Sequence, residues 1–279
     1  MTRVSVITGG AGGMGRATAK IVGRDHTVVL CDVRKDRLDG AVAELESLGI
    51  SATPVHCDVT DRDAVARLFA TAAGIGPIAS VIHTAGVSPS MGDADYVMTT
   101  NAIGTLRVNE AFFASAADGS AIVNVASMAS HMLPDELVPA QHFDLAFTDE
   151  RRFLTEMLAA CDIAGEEMRS GLAYSVSKTF VRWYSCAQAE RFNGRGLRIV
   201  SVSPGSVDTE MGLLEADAGA GAMVANAAVP RWGKAEEMAE LFAFCASDRA
   251  TYLTGTDILN DGGVIASMRE RARVAAQNA

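Results

Sequence analysis

The sequence lacks the features of nucleic-acid-binding, secreted and membrane-spanning proteins. Its 279 residues carry 34 acidic against 24 basic side chains, and this formal net charge of -10 repels a phosphate backbone, so no nucleic-acid partner is expected. No apolar run approaches the roughly 18 residues that cross a bilayer. The first strand-like residues lead directly into a glycine-rich turn, without room for a signal peptide. We therefore expect a cytoplasmic protein with no membrane partner.

Cysteine patterns that would indicate a cross-link or a metal are also missing. The five cysteines are an odd number and form no CxxC pair, so neither a disulfide framework nor a bound metal is expected. Aromatic residues make up only 6% of the chain, whereas 49% of it is hydrophobic. This hydrophobic content predicts a sizeable core.

Short β-branched runs alternate with longer segments of helical period. The predicted strands are residues 4–7, 27–30, 79–82, 121–125, 197–202 and 257–259. The predicted helices are residues 16–23, 36–48, 61–73, 102–116, 174–193 and 235–246. Strands that are regularly separated by helices predict an α/β fold with a doubly wound parallel sheet, the Rossmann fold.

One domain is predicted, over residues 1–266, because no repeat or flexible linker divides the chain. Residues 131–170 form an insertion before Tyr174, and within it residues 152–161 have the period of an amphipathic helix. Long insertions are often functional, and this one is expected to cover the substrate or to block an interface. Residues 206–230 are predicted to be a substrate loop, and residues 267–279 a C-terminal tail that is either a surface helix or frayed.

A glycine-rich turn follows the first strand and reads TGGAGGMG over residues 8–15. Glycines let the backbone approach a pyrophosphate, whose charge is stabilised by the free N–H groups of the following helix. Asp32 follows the second strand, 19 residues beyond Gly13, where a carboxylate can bind the adenosine ribose. This carboxylate favours NAD over NADP, although Arg34 lies close enough to reach a 2′-phosphate.

Tyr174 and Lys178 are spaced i, i+4 at the head of a predicted helix, which places both side chains on one face. A free phenol has a pKa near 10, so acid/base work at neutral pH needs roughly 4 kcal/mol of stabilisation of the phenolate. A neighbouring ammonium group supplies part of it. The pair therefore indicates proton transfer at Tyr174.

These motifs together resemble the short-chain dehydrogenase/reductase family, of the compact type with a TGxxxGxG turn. Thr8, Gly9, Gly13 and Gly15 match the turn, and Asn101, Ser127 and the Tyr174-x-x-x-Lys178 motif follow in the family's order. The resemblance implies a catalytic set of Asn101, Ser127, Tyr174 and Lys178. It implies cofactor contacts at Gly9, Gly13, Met14, Gly15, Asp32, Val33, Asp58, Val59, Thr84, Ala85, Gly86, Tyr174, Lys178, Pro204, Gly205, Val207 and Thr209.

The resemblance also implies a reaction: hydride transfer between NAD(H) and a small-molecule alcohol or ketone, with Tyr174 moving the hydroxyl proton. Lys178 would lower the Tyr174 pKa and bind the nicotinamide ribose, Ser127 would hold the substrate oxygen, and Asn101 would hold a water linked to Lys178. Val207 and Thr209 would hold the carboxamide. A homodimer or homotetramer is expected.

The sequence departs from the family at two places. His83 stands where the family has asparagine, and a structural hydrogen-bonding role is expected for it. The 46 residues between Ser127 and Tyr174 are far more than compact members have, and similar insertions occur in the bacterial 3α-hydroxysteroid dehydrogenase/carbonyl reductase branch. A bulky apolar or steroid-like substrate is a hypothesis, based on apolar residues that are equally suited to the core: Met128, Met132, Leu133, Met211, Leu213, Leu214 and Met223.

Other functions are compatible with parts of the pattern. A non-catalytic protein that senses NAD(H) would need the cofactor motifs but not the proton-transfer residues. An epimerase or dehydratase would keep the fold, but normally has other glycine spacings. A serine hydrolase is disfavoured because no GxSxG elbow surrounds Ser127 and no acid is evident in the sequence to orient His131.

Overall fold

A parallel sheet of seven strands forms the centre of the protein. The computed structural model describes residues 2–278. In it the strand order is β3-β2-β1-β4-β5-β6-β9. The strands are β1 (Val4–Thr8), β2 (Thr27–Asp32), β3 (Ala52–His56), β4 (Ile78–His83), β5 (Ala121–Val125), β6 (Arg198–Pro204) and β9 (Thr256–Asn260). Two short strands, β7 (Val207–Asp208) and β8 (Gly233–Lys234), pair separately. The predicted single-domain α/β fold with a doubly wound parallel sheet is confirmed.

Helices cover both faces of the sheet. They are α1 (Gly13–Val22), α2 (Lys35–Ser47), α3 (Arg62–Ile75), α4 (Ala94–Met98), α5 (Gly104–Ser115), α6 (Leu145–Thr148), α7 (Glu150–Cys161), α8 (Gly165–Ala187), α9 (Ala189–Asn193), α10 (Glu210–Leu214), α11 (Gly221–Ala225), α12 (Ala235–Ala246) and α13 (Val264–Gln277). Alternate residues of a strand serve opposite layers: Val29 packs with one core cluster, and Val28 and Leu30 with the other. Within residues 2–278, no helix combines the length and apolarity needed to cross a membrane.

Six of the seven strands of the sheet were predicted, and β3 was missed. Its sequence, ATPVH, contains Pro54 and shows no run of buried apolar residues. The strand pairs only with β2, at the edge of the sheet. Proline is tolerated there because an edge strand leaves part of its backbone unpaired. The weak sequence pattern therefore follows from the position of the strand.

Two helix predictions were wrong at their start. Helix α8 begins at Gly165, so Tyr174 lies in its third turn and not at its head. The predicted helix at 102–116 begins at Ala94 and passes through a π-helical turn, Thr99–Ile103, before it continues as α5. The C-terminal segment is a helix as far as Gln277, and Ala279 lies outside the described residues.

The insertion is largely helical and packs against α8. The expected amphipathic helix is α7, which buries Phe153, Met157 and Cys161. Phe153 contacts Phe180 of α8 with ring centroids 4.8 Å apart, and Phe143 contacts the same ring at 5.4 Å. Aromatic contacts of this kind fix the insertion to the long helix. The insertion therefore forms part of the main core.

The strand order reverses between β1 and β4, because β2 and β3 lie on one side of β1 while β4, β5 and β6 lie on the other. In a sheet of this type the loops at the carboxyl ends of neighbouring strands diverge at the reversal and leave a crevice. Every strand from β1 to β6 is parallel to its neighbours, so the segments that follow them meet at this edge. We call this region the active-site cleft.

Candidate active site

The glycine-rich turn lies between β1 and α1 and leaves its backbone open. Gly9 has φ of +61°, a conformation that favours glycine, and a Cβ there would lie 2.8 Å from the backbone nitrogen of Ala85. A Cβ on Gly13 would lie 2.7 Å from Cγ2 of Thr209. Helix α1 is preceded by Gly12, which has no capping side chain, so its first N–H groups are free to bind an anion. The turn therefore fits a pyrophosphate.

Gly15 and Met14 lie in the first turn of α1, where Gly15 packs against the carbonyl of Gly9. Met14 contributes to the core between α1 and the sheet. These two residues therefore fix α1 against the turn. The first turn of the helix, which carries the open N–H groups, therefore forms one wall of the cleft.

Asp32, at the end of β2, is held by two backbone N–H groups. Ala11 N donates to its Oδ2 at 3.1 Å, and Arg34 N donates to its Oδ1 at 3.0 Å. Val33 is 54% exposed beside it. The Arg34 side chain turns to Asp36, with 3.6 Å between the charged atoms. The carboxylate of Asp32 is thus oriented beside the glycine-rich turn, which fits the recognition of a ribose diol.

Asp58 and Val59 follow β3 and have separate roles in the protein. The Asp58 carboxylate accepts hydrogen bonds from the backbone and the hydroxyl of Thr60, at 2.8 and 2.7 Å. Val59 is buried, and a Cβ on Gly104 would lie 2.7 Å from its Cγ2. Val59 therefore fixes the start of α5, while Asp58 shapes the loop beside the cleft.

A chain of hydrogen bonds runs from the loop after β4 to the π-helical turn. Ala85 N donates to Oγ1 of Thr8 at 3.3 Å, Thr8 Oγ1 lies 2.7 Å from Nδ1 of His83, and His83 Nε2 lies 3.0 Å from Oγ1 of Thr105. The Thr105 hydroxyl donates to the carbonyl of Asn101 at 2.6 Å. A carbonyl only accepts, so Thr105 must accept from Nε2–H, and in a neutral ring Nδ1 then accepts from Thr8.

This arrangement requires a neutral His83. Burial, followed by the charge of the nearby Lys178, lowers the pKa of His83 to about 3. The ring joins two strands of the sheet to the helix that carries Asn101. The hydrogen-bonding role expected for His83 is therefore observed, and its permanent neutrality argues against acid/base work at this position.

Thr84 and Gly86 complete the loop after β4. The Thr84 hydroxyl donates to the carbonyl of Thr8 at 2.7 Å, which ties the loop to the glycine-rich turn. A Cβ on Gly86 would lie 3.0 Å from Oδ1 of Asn101 and 3.3 Å from Nζ of Lys178. A side chain here would therefore press against two of the expected catalytic residues.

Asn101 lies in the π-helical turn, and its side chain makes three hydrogen bonds. Its Oδ1 accepts from Val87 N at 2.9 Å, and its Nδ2 donates to the carbonyl of Val87 at 3.0 Å and to Oγ of Ser177 at 3.2 Å. π-Helical turns widen a helix and often occur at functional sites. The side chain of Asn101 therefore joins the loop after β4 to α8, at the residue before Lys178.

Ser127, Tyr174 and Lys178 meet at the end of β5. Lys178 Nζ donates to the carbonyl of Val125 at 2.9 Å and lies 5.8 Å from the centre of the Tyr174 ring. Burial lowers the pKa of Lys178 to about 8. Burial raises the pKa of Tyr174, the hydroxyl of Ser127 lowers it, and the charge of Glu215 raises it. The lowering of the Tyr174 pKa expected from Lys178 is therefore not found in the protein alone, where burial dominates.

The segment after β6 closes the cleft on the side of α1. A Cβ on Gly205 would lie 2.7 Å from Cα of Asp261, which brings this segment close to the end of β9. Pro204 is the last residue of β6, and Val207 is buried in β7. Thr209 Oγ1 accepts from Gly212 N at 3.1 Å and so caps α10. The expected carboxamide-binding residues therefore lie next to the glycine-rich turn.

The apolar residues expected around the substrate divide into three groups. Met128, Met132 and Met223 cluster with residues at the start of α13. Leu133 belongs to the main core. Met211, Leu213 and Leu214 lie on α10, where Leu213 and Leu214 are 52% and 56% exposed. Leu213 and Leu214 are therefore accessible to a ligand, whereas Met128 is buried and Leu133 packs against the core.

The expectation that no acid orients His131 was wrong, and one carboxylate in the cleft was missed. Asp257 does orient His131: its Oδ2 lies 2.8 Å from Nε2. The other ring nitrogen lies 3.0 Å from an Arg182 nitrogen, so no serine takes the place of a nucleophile. The missed carboxylate is Glu215, which accepts from Ser90 N at 3.1 Å. Nothing in its Ala- and Gly-rich surroundings distinguishes it from a surface glutamate.

Comparisons with known proteins agree with this architecture. The chain matches the family model described as short chain dehydrogenase over residues 3–138, and the model described as enoyl-(acyl carrier protein) reductase over residues 157–265. It is 30% identical to the cis-4-hydroxycyclohexanecarboxylate dehydrogenase of Sinomonas cyclohexanicum, over 95% of this chain and 97% of that protein. It is 29% identical to the short-chain dehydrogenase/reductase bsc3 of Alternaria brassicicola, over 95% of this chain and 97% of that protein.

A solved structure has the same fold. The short chain dehydrogenase of Burkholderia cenocepacia in complex with NADP matches with a TM-score of 0.73 and 25% identity, over 93% of this chain and 96% of that one. The likeness spans the whole sheet and its helices rather than one motif. It therefore extends to the segments that surround the cleft.

Proposed function

The chain belongs to the short-chain dehydrogenase/reductase family, and from this premise we propose that it is an NAD(H)-dependent oxidoreductase of secondary alcohols and ketones. The observation that carries the proposal is the meeting of Asn101, Ser127, Tyr174 and Lys178 at the carboxyl edge of the sheet, beside an uncapped helix N-terminus. When bound, the nicotinamide supplies the hydride acceptor or donor. A side chain of the protein must then give or take the hydroxyl proton.

Four residues of the chain have separate roles in this proton transfer. The Tyr174 hydroxyl gives a proton to a ketone oxygen or takes one from an alcohol, while the Ser127 hydroxyl beside it holds the same oxygen. Lys178 holds positive charge next to the phenol and is itself oriented by Val125. Asn101 fixes the loop after β4 against α8 and would hold a water linked to Lys178.

Cofactor binding is assigned to the residues around the glycine-rich turn and Asp32. The proposal of NAD rather than NADP rests on Asp32, because a carboxylate there repels a 2′-phosphate. Each nearby arginine already has an acidic partner: Arg34 pairs with Asp36, and Arg37 pairs with Glu210. The site therefore offers a ribose acceptor, and the two arginines have acidic neighbours that compete with a 2′-phosphate for them.

The apolar side chains at the cleft support a substrate with a bulky apolar part. Met128, Met132 and Met223 cluster beside the start of α13, and we assign them to one wall of the cleft, the methionine wall. The exposed Leu213 and Leu214 lie on α10. The proposal also includes a homo-oligomer, a cytoplasmic location, and a division of the chain into a domain of residues 1–266 and a tail.

The direct test is NADH oxidation with a panel of ketones, from small polar ones to fused rings. We expect turnover of the bulky apolar ketones, with a higher kcat/KM for NADH than for NADPH. Turnover of small polar substrates alone would contradict the apolar substrate. Tight binding of NADH without oxidation of any ketone would instead support the non-catalytic sensor.

Asp32→Ser tests the basis of the NAD preference. Losing hydrogen bonds to a charged group should lower kcat/KM for NADH about tenfold or more. Removing the negative charge should raise the value for NADPH, and the measurement is the ratio of the two constants. Asp39→Ser, an exposed change on α2, is the control and should leave the ratio unchanged. An unchanged ratio in Asp32→Ser would mean that another group selects the cofactor.

A further inference from the structure

Glu215 places a carboxylate at the cleft with no cationic partner. It lies at the C-terminal end of α10, and its Oε1 accepts from the backbone of Ser90 at 3.1 Å. Among the ion pairs of residues 2–278, none includes Glu215. Glu210, at the other end of the same helix, is paired with Arg37. The charge of Glu215 is therefore available to a ligand.

The contact with Ser90 locates this carboxylate close to the catalytic pair. Ser90 is four residues beyond Gly86, where a Cβ would lie 3.3 Å from Nζ of Lys178. The charge of Glu215 also reaches the Tyr174 hydroxyl, whose pKa it helps to raise. Glu215 thus joins the predicted substrate loop, residues 206–230, to the loop after β4, beside the expected catalytic residues.

We propose that Glu215 is a specificity-determining residue, which accepts a hydrogen bond from a second hydroxyl group of a neutral substrate and rejects substrates that carry a carboxylate at that position. One oxygen of Glu215 is used by Ser90, and the other has no partner among the described hydrogen bonds. Hydrogen bonds to a charged acceptor are stronger than those between neutral groups. A substrate carboxylate would instead meet a like charge in a partly desolvated site.

This inference rests on the proposed function and narrows its substrate class. The reacting carbon belongs to an apolar ring or chain that packs on the methionine wall, and one further hydroxyl group reaches Glu215. Glu215 could also act only as a latch between the two loops. Loss of a latch would change kcat/KM by the same factor for every substrate. Loss of recognition would change the ratio of kcat/KM between substrates.

The experiment compares three cyclohexanones of similar size, which carry hydroxymethyl, methyl or carboxylate at ring position 4. With NADH, the unchanged enzyme should prefer them in that order. Glu215→Gln keeps an acceptor for Ser90 but removes the charge. The variant should lose about tenfold in kcat/KM for the hydroxymethyl ketone, gain about tenfold for the carboxylate, and change little for the methyl ketone.

Asp217→Asn is the matched control, because it removes an exposed charge two residues away. It should leave the order of preference among the three ketones and the ratios of their kcat/KM values unchanged. Equal changes for all three ketones in Glu215→Gln would identify a latch and overturn the inference, as would a preference of the unchanged enzyme for the carboxylate.

The two proposals fail separately. If none of the three ketones is turned over, the proposed reaction fails for this class, and calorimetry of the same ketones with the NADH-bound protein still tests recognition. The inference then requires tighter binding of the hydroxymethyl ketone, and a loss of that preference in Glu215→Gln. Equal affinities in both proteins would overturn it.

Discussion

Tyr174→Phe is expected to lower kcat by about three orders of magnitude while leaving the Kd for NADH within about twofold, because general acid/base catalysis typically contributes 10²–10⁴-fold. Phenylalanine keeps the ring that packs against the core and removes only the hydroxyl that interacts with Ser127. The measurements are steady-state kcat with a ketone substrate and NADH binding followed by fluorescence.

The matched control is Tyr184→Phe, the same change on the same helix. The Tyr184 hydroxyl donates to Glu110 at 2.9 Å, away from the cleft, and it should contribute about 1 kcal/mol to the free energy of unfolding. Turnover should stay within about twofold of the unchanged enzyme, since no reacting group is lost. If Tyr174→Phe retained full turnover, the assignment of the proton donor would be wrong.

Lys178→Met is expected to lower kcat by about a hundredfold or more and to raise the KM for NADH, since it removes both a charge beside the phenol and a charged hydrogen-bond donor. Methionine fills similar space, so the buried region around Val125 should stay packed. Kinetics with NADH and circular dichroism of the variant separate the loss of function from a loss of folding.

The pH dependence of ketone reduction tests the charge of Lys178 directly. Burial lowers the pKa of Lys178 to about 8, so the ammonium form is present at pH 7 and is lost as the pH rises through that value. Ketone reduction, which also needs a protonated Tyr174, should therefore decline near pH 8. Lys178→Arg keeps a cation that does not titrate there, and it should retain part of the activity without that decline. A decline at the same pH in Lys178→Arg would assign it to another group.

The fold and the catalytic sequence motifs could be predicted because each rests on a local pattern. Buried parallel strands are continuous apolar runs, and the glycine-rich turn is required by close backbone contacts such as that between Gly9 and Ala85. Strand β3 could not be predicted in this way, because an edge strand with Pro54 needs no apolar run. The start of α8 was missed because the insertion continues directly into the helix at Gly165.

Long-range contacts account for the rest of what was missed. Asp257 orients His131 from a strand 126 residues away, and Ser90 and Glu215 are 125 residues apart. No spacing rule links such positions. The raised pKa of Tyr174 likewise depends on burial by several elements, which a motif of five residues does not describe. Sequence patterns therefore predicted the fold better than the surroundings of the expected catalytic residues.

The hydrogen-bond chain through His83 has a fixed polarity, and this restricts how the protein can evolve. One end is the N–H of Ala85 and the other is the carbonyl of Asn101, so neither end can reverse its role. Thr8, His83 and Thr105 between them must each accept on one side and donate on the other. Replacing any of the three by a residue that cannot both accept and donate leaves a buried group unmatched. Lineages that exchange His83 for such a residue should therefore accumulate compensating changes at the two threonines.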